Sequence, residues 1–287
     1  MNAAIIPFFH ERTNTVTYVV SDPATRRAAV IDPVRDYDAA SGRTGRGSVD
    51  TVIDRVRADG LAVDWVLETH VHADHLSAAP LVKAALGGRI GIGARVVEVQ
   101  KTFGALFNVE PGFAPDGRQF DHLFGDGETF AIGGLQGRVL HTPGHTPACV
   151  SYVIGDAVFV GDTIFMPDSG TARCDFPGGD AATLYRSIRR LLDLPPATRM
   201  FHCHDYGAGG KRPVAWETTV AAQRAGNIHV RDGVTEAEFV AMRRERDATL
   251  AMPALIAPSV QVNIRAGNLP PPEGNGKVYL KVPVDSL

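Results

Sequence analysis

Cysteine is scarce in this chain of 287 residues: Cys149, Cys174 and Cys203 are the only three. So sparse and odd a set excludes a disulfide framework and fits a reducing compartment. Long apolar runs are missing as well. No stretch approaches the roughly 20 apolar residues that span a bilayer, and the start Met1-Asn2-Ala3-Ala4 lacks the basic opening of a secretory signal. A cytoplasmic protein without a membrane partner is expected. Nor is there an excess of charge of either sign, since 29 Lys and Arg face 32 Asp and Glu for a formal net charge of -3. Nucleic acid is therefore not an expected partner.

What is present is an ordinary globular composition on a chain long enough to bury a substantial core. Apolar runs at 16–20 and 28–31, separated by Ser21-Asp22-Pro23, predict an antiparallel pair of strands. A polar, Gly-rich excursion at 36–47 follows. Val49, Val52, Ile53 and Val56 then recur at helical spacing, with Gly60 as a stop, and residues 64–68 read as a short buried strand. Ser77 is placed to cap a helix carrying Leu81, Val82, Ala85 and Leu86, before a strand at 89–92.

Short strands are predicted at 129–132, 137–140, 150–154 and 157–160, and helices at 180–192, 214–225 and 235–247. No internal repeat is visible. The last forty residues, rich in Pro and Gly, are expected to wrap over the surface. The whole reads as a single domain over 1–287, with a C-terminal extension from about residue 230.

The chemistry concentrates in Thr69-His70-Val71-His72-Ala73-Asp74-His75, directly after the apolar run at 64–68. Three imidazoles and a carboxylate at a strand end suit zinc, iron or manganese. The alternative is a polar loop of solvated histidines, which does not account for four donors in six residues. Three later positions also follow strands: His145 in His141-Thr142-Pro143-Gly144-His145, Asp162 after Phe159-Val160-Gly161, and His204 in Phe201-His202-Cys203-His204-Asp205-Tyr206. Each alone is also consistent with a turn, a cap or a structural imidazole. Together they point to metal.

That ordered set resembles the metallo-β-lactamase superfamily over about residues 15 to 210. The resemblance implies an α/β (α+β) fold, a four-layer αββα sandwich with one or two metals at the loop edge between its sheets. In dinuclear members the equivalents of His70, His72 and His145 hold one metal, those of Asp74, His75 and His204 the other, and that of Asp162 bridges. Fold does not choose the reaction.

The stretch 161–176, with Gly170-Thr171-Ala172-Arg173-Cys174-Asp175-Phe176, is similar to the persulfide dioxygenases, as are His204-Asp205-Tyr206 and the tail segment 250–267. The insertion at 36–48 resembles their bacterial subgroup. This resemblance implies one iron(II) per chain on His70, His145 and Asp162, leaving coordination positions for a persulfide and dioxygen. His72, Asp74, His75 and His204 then orient ligands and bind water or substrate, or hold a second metal. The implied reaction oxidises glutathione persulfide with dioxygen and water to sulfite and glutathione, in sulfide detoxification, and a homodimer is implied too.

Arg173 is the candidate for pairing with a glutathione carboxylate, a structural ion pair being the alternative. Tyr206 and His204 are the catalytic candidates, and Tyr206 is expected to reach substrate unless it serves packing. Cys174 and Cys203, beside the site, are either small buried residues or acceptors of sulfane sulfur; Cys149 belongs to the core. The competing reading is a dinuclear zinc hydrolase of a glutathione thioester, as in glyoxalase II, for which all seven donors serve as ligands. That enzyme's helical C-terminal domain has no counterpart here. A third reading is a metal or sulfur sensor without turnover.

Overall fold

The computed structural model describes residues 2–286 and resolves the two strand-rich regions into two six-stranded sheets. The first runs in spatial order Ala4–His10, Thr15–Ser21, Arg27–Ile31, Ala62–Leu67, Arg89–Gly93, His122–Phe124. Its first three strands pair antiparallel, the second with the third as the turn at Ser21-Asp22-Pro23 predicts. From Arg27–Ile31 onward pairing is parallel, and the crossovers carry the helices Gly47–Ala58, Ala79–Leu86 and Val96–Leu106.

The second sheet keeps chain order: Thr129–Ile132, Leu135–His141, Val150–Ile154, Ala157–Phe159, Arg199–Phe201, Glu217–Thr219. Only Ala157–Phe159 and Arg199–Phe201 pair parallel, with the helix Ala181–Leu192 between them. Consequently Leu135–His141, Ala157–Phe159 and Arg199–Phe201 run the same way and end at one edge.

Strand side chains alternate between faces, so neighbours such as Val30 and Ile31 enter different cores. Val16, Tyr18, Ile31, Leu67, Phe130 and Phe159 fill the space between the sheets. Val30, Val66 and Ile90 pack outward against Val52, Val82, Val99 and Val260 of the helices over the first sheet. Leu140, Val158 and Met200 do the same against Leu184, Ile188 and Phe239 over the second. Three apolar interfaces make four layers, the αββα sandwich. Each fully buried side chain such as Phe159 or Leu184 contributes on the order of 1.5–3 kcal/mol, which holds the layers in register.

Some expectations change. The helix expected over 214–225 begins only at Val220, because Glu217–Thr219 pairs with Arg199–Phe201 at the sheet edge and Thr219 caps the helix by accepting from Ala222 N at 3.1 Å. The helix Val96–Leu106 has no counterpart in the sequence reading. Ser77 is not the cap: the N-cap is Ala78, because Ser77 ends the short strand Leu76–Ser77, although its hydroxyl accepts from Ala79 N at 3.0 Å. The polar excursion folds as a small ladder of Tyr37–Asp38 against Arg43–Thr44.

The tail differs most from its expectation. Ile256–Asn263 is a helix buried along its length against the first sheet's loops and helices, while the segments at 248–254 and from about 268 onward lie mostly exposed. Among the described residues no helix is long and apolar enough to cross a membrane.

Candidate metal centre

The loop 69–75 leaves the end of Ala62–Leu67 and is braced at both ends. Thr69 donates to Asp32 through both N and Oγ1, each at 2.8 Å. Asp32 itself sits in the left-handed region, φ +49°, at the end of Arg27–Ile31, a conformation uncommon outside glycine and typical of functional turns. From the tail, Asn263 Nδ2 donates to the carbonyls of His72 at 2.9 Å and His75 at 2.8 Å, while its Oδ1 accepts from Ser77 N at 2.8 Å. One amide thus fixes the loop's far side.

The other donors come singly from the second sheet. His145 follows Leu135–His141, and its Nδ1 meets Arg173 O at 2.8 Å. Asp162 follows Gly161, whose φ is +50° and whose missing Cβ would lie 2.5 Å from Thr69 Oγ1, so only glycine allows this approach. His204 follows Arg199–Phe201 and sets Nδ1 against Asn14 O at 3.1 Å. Val150 N donates to Thr69 O at 2.9 Å and Val16 N to Cys203 O at 2.7 Å, sewing the two sheets together at this edge.

Asp162 stands at the centre. Its Oδ2 lies 3.9 Å from His70 Nε2 and 3.7 Å from His145 Nε2, while its Oδ1 lies 3.4 Å from His204 Nε2. His204 Nε2 is also 3.5 Å from Asp74 Oδ2. The carboxylate therefore offers one oxygen to each of two donor groups. The ligand atoms of His70, His145 and Asp162 lie within 4.8 Å of one another, and so do those of His72, Asp74 and His75. The structure brings together every metal-site residue read from the sequence.

Whether a cation fits follows from the hydrogen bonds. His70 Nε2, His72 Nδ1, His75 Nε2, His204 Nε2 and Asp162 Oδ1 are buried without a partner. The opposite ring nitrogens are engaged: His70 Nδ1 with Thr69 Oγ1 at 3.0 Å, His72 Nε2 with Asp32 Oδ1 at 3.1 Å and His75 Nδ1 with Leu76 O at 3.2 Å. A buried polar atom left unsatisfied costs about 1–3 kcal/mol, so five gathered at one spot fit a cation that would complete them. Rings fixed through one nitrogen with the other free are the arrangement of metal ligands. The nitrogen and oxygen donors suit zinc, iron or manganese.

The electrostatics agree. Burial, with the neighbouring imidazoles, holds His70 well below its usual pKa and brings His75 to about 3, so both are neutral ligands. Burial would lower His72 too, but Asp32 and then Glu68 outweigh it and raise that ring well above its usual value. Asp32 stays low against its own burial because His72 and Thr69 stabilise its charge.

A cavity of about 690 Å³ is lined by Asp74, His145, Asp162 and His204, by Phe165, Phe176 and Tyr206, and by the exposed Ile228, Arg246 and Leu250. The Tyr206 ring lies nearly parallel to His204, 13° at 6.3 Å, and its hydroxyl has no hydrogen-bond partner among the described residues. Arg173 also lines the cavity, but its guanidinium is committed. Nε and Nη2 bind the Asp175 carboxylate at 2.6 Å each and Nη1 binds Ala251 O at 2.7 Å, which makes it a strut between the loop and the tail and realises the ion-pair alternative.

The sulfur-acceptor role considered for Cys174 and Cys203 needs a thiolate. Burial pushes Cys174 up to about 12 and Cys203 well above its usual value, so both thiols are neutral and packed. Cys149 is buried and likewise raised to about 12.

Several supporting residues escaped the sequence reading: Asp32, Glu68, Asn14, Asn263 and Arg246. Asp32 carried a signal, a carboxylate closing the apolar run 28–31 just as the histidine loop closes the run 64–68. Asn14 and Asn263 carried none, because their contacts join segments nearly two hundred residues apart.

The chain matches the metallo-beta-lactamase superfamily model over residues 11–204. It is 57% identical to a probable metallo-hydrolase of Burkholderia pseudomallei, covering 98% of each chain, and 50% identical to Glyoxylase B2 of Dictyostelium discoideum over 100% of this chain and 99% of that one. At 54% identity, 98% of it covers 64% of the beta-lactamase hydrolase-like protein of Agrobacterium fabrum. Bovine mitochondrial persulfide dioxygenase is more distant, 27% identical over 92% of this chain and 89% of that one. The crystal structure of ETHE1 from Myxococcus xanthus superposes with a TM-score of 0.73 at 28% identity, over 92% of this chain and 100% of the other. With its donor loops at the shared edge of two sheets and the family pattern running from residue 11 through His204, the chain belongs to the metallo-beta-lactamase superfamily.

Proposed function

We propose that this chain is a metalloenzyme acting on a glutathione-type thiol conjugate, and that the reaction is hydrolysis of a thioester at a two-metal centre. The observation that carries this reading is Asp162, which turns one oxygen toward His70 and His145 and the other toward His204. A carboxylate so shared serves two cations. The names of the relatives at 50–57% identity support hydrolysis more than they support oxygen chemistry.

His70, His72 and His145 would hold one metal, and Asp74, His75 and His204 the other, with Asp162 between them. Bound there, the pair supplies Lewis acidity and an acidified water for attack on an acyl carbon. The chain's own part is to fix each imidazole through its other ring nitrogen, by Thr69, Asp32, Leu76, Arg173 and Asn14, so that one nitrogen of each ring is left for the metal. Phe165, Phe176 and Pro253 line the cavity with apolar surface that excludes bulk water. The Tyr206 hydroxyl, unpartnered in the cavity, is available to hydrogen-bond the departing sulfur.

A second reading, persulfide dioxygenation, is favoured by a different observation: the likeness to persulfide dioxygenase and to ETHE1 runs over 92% of this chain. In that reading His70, His145 and Asp162 would hold one iron(II), which would mediate transfer to dioxygen of the four electrons that the persulfide sulfur gives up on becoming sulfite. Glutathione persulfide, dioxygen and water would give glutathione and sulfite, and Tyr206 would orient the persulfide.

Metal content and turnover separate the two. Hydrolysis predicts about two metal ions per chain and release of glutathione from S-lactoylglutathione without oxygen uptake. About one iron per chain, with oxygen consumed and sulfite formed from glutathione persulfide, would replace hydrolysis by the dioxygenase reading.

A further inference from the structure

Two arginines line the main cavity, Arg173 and Arg246, and they differ in what they already hold. The Arg173 guanidinium is already paired with a carboxylate: Nε and Nη2 bind Asp175 and Nη1 binds Ala251 O. Arg246, on the last turn of the helix Glu236–Asp247, makes no ion pair and no side-chain hydrogen bond among the described residues. Its helix neighbours are committed elsewhere: Arg243 and Asp247 pair with each other at 2.7 Å, and Asp247 also accepts from Cys174 N at 2.9 Å. These contacts lock the helix against the loop 171–175, so Arg246 is presented from a rigid support.

We infer that Arg246 is the residue that receives a carboxylate of the substrate, and that the substrate is an anionic thiol conjugate. This rests on the thiol-conjugate reading of the metal centre. The cavity has three parts suited to such a molecule. Asp162, His145 and His204 take the reacting sulfur end; Phe165, Ile228 and Leu250 cover an apolar stem; the exposed Arg246 offers the free guanidinium. Guanidinium and carboxylate match as two parallel hydrogen bonds, which makes the contact selective as well as attractive. Arg173 is less suited to this part because its charge is already paired with Asp175 and its Nη1 holds the tail at Ala251 O.

The test uses zinc-loaded, full-length protein with glutathione and its carboxyl-esterified form as calorimetric probes, in wild type, Arg246→Gln and Arg246→Lys. Arg246→Gln should weaken glutathione binding about 10-fold, the loss of one charge-assisted contact, with metal content unchanged. The ester should bind wild type and Arg246→Gln alike, and Arg246→Lys should recover part of the affinity for glutathione. Wild-type binding that Arg246→Gln leaves intact would overturn the assignment to Arg246 while sparing the thiol-conjugate reading. Failure of wild type to bind glutathione at all would overturn both.

Discussion

The two sheets furnish the metal centre in opposite ways. The first delivers four donors on one short loop, and a single tail residue, Asn263, braces that loop by bonding the carbonyls of His72 and His75. The second delivers His145, Asp162 and His204 from three separate strand ends, and the helix Glu236–Asp247 with His229 braces the loop behind them. A contiguous loop is held by clamps at its two ends, Asp32 and Asn263, because its donors move together. Donors from separate strands each need their own backing, which is why Arg173 O, Gly161 and Asn14 O all matter.

The largest expected effect lies where the two contributions meet. Asp162→Ala removes the oxygen each donor group uses, so bound metal and turnover should both fall by more than about 100-fold, beyond the 10–100-fold typical of residues that only back a ligand. Elemental analysis together with a rate measurement checks this. Undiminished metal would mean that the two sheets' donors work independently.

Next comes the brace behind the second sheet. Asp247→Ala leaves Arg243, 1% exposed, without its counter-charge and should cost about 3–5 kcal/mol in denaturant unfolding. The double change Arg243→Met with Asp247→Leu should recover part of that loss, since no charge is then stranded. A double variant as unstable as the single one would show that the hydrogen bonds to Thr171 and Cys174 matter more than the ion pair.

The matching brace of the first sheet should weaken metal more than it weakens the fold. Asn263→Ala breaks the contacts to two ligand-loop carbonyls and should cost about 1–3 kcal/mol of stability, with about a 10–100-fold loss of zinc affinity in chelator competition. Unchanged zinc affinity would reduce the tail helix to packing.

The smallest effect concerns His229, whose Nδ1 accepts from Thr171 N at 3.1 Å. Burial first, then Arg243 and Arg246, bring its pKa from 6.5 to about 4. The unfolded chain therefore takes up this proton before the folded one does. Its contribution to stability is full above about pH 6.5 and fades as pH falls toward 4. His229→Gln should flatten the melting temperature against pH over that window, and parallel curves would refute it.

Legibility in the sequence followed the same division. Four donors in six residues announced metal without any fold, and strand-end positions exposed His145, Asp162 and His204 once they were taken together. The sheets were legible because buried parallel strands leave apolar runs and turn residues between them. The tail was misjudged because its Pro and Gly residues read as a surface wrap, while the eight-residue helix Ile256–Asn263 is short and apolar on most sides, without the polar face that marks a surface helix. Arg173 and Arg246 show the same limit in side chains: both are arginines near the site, and no pattern of letters says which has already found a carboxylate.

By itself, then, the sequence carried the short strands, most of the helices and the candidate donor residues, which depend on local periodicity and on chemistry carried by single residues, while its ordered His and Asp motif gave the resemblance that implied the superfamily and its two-sheet architecture. Only the tertiary structure decided that Asp162 faces both donor groups, that Asp32 and Asn263 hold the histidine loop, and that Arg246 is the open cation. Such facts depend on distances between segments far apart in the chain, which close packing sets and residue order does not record.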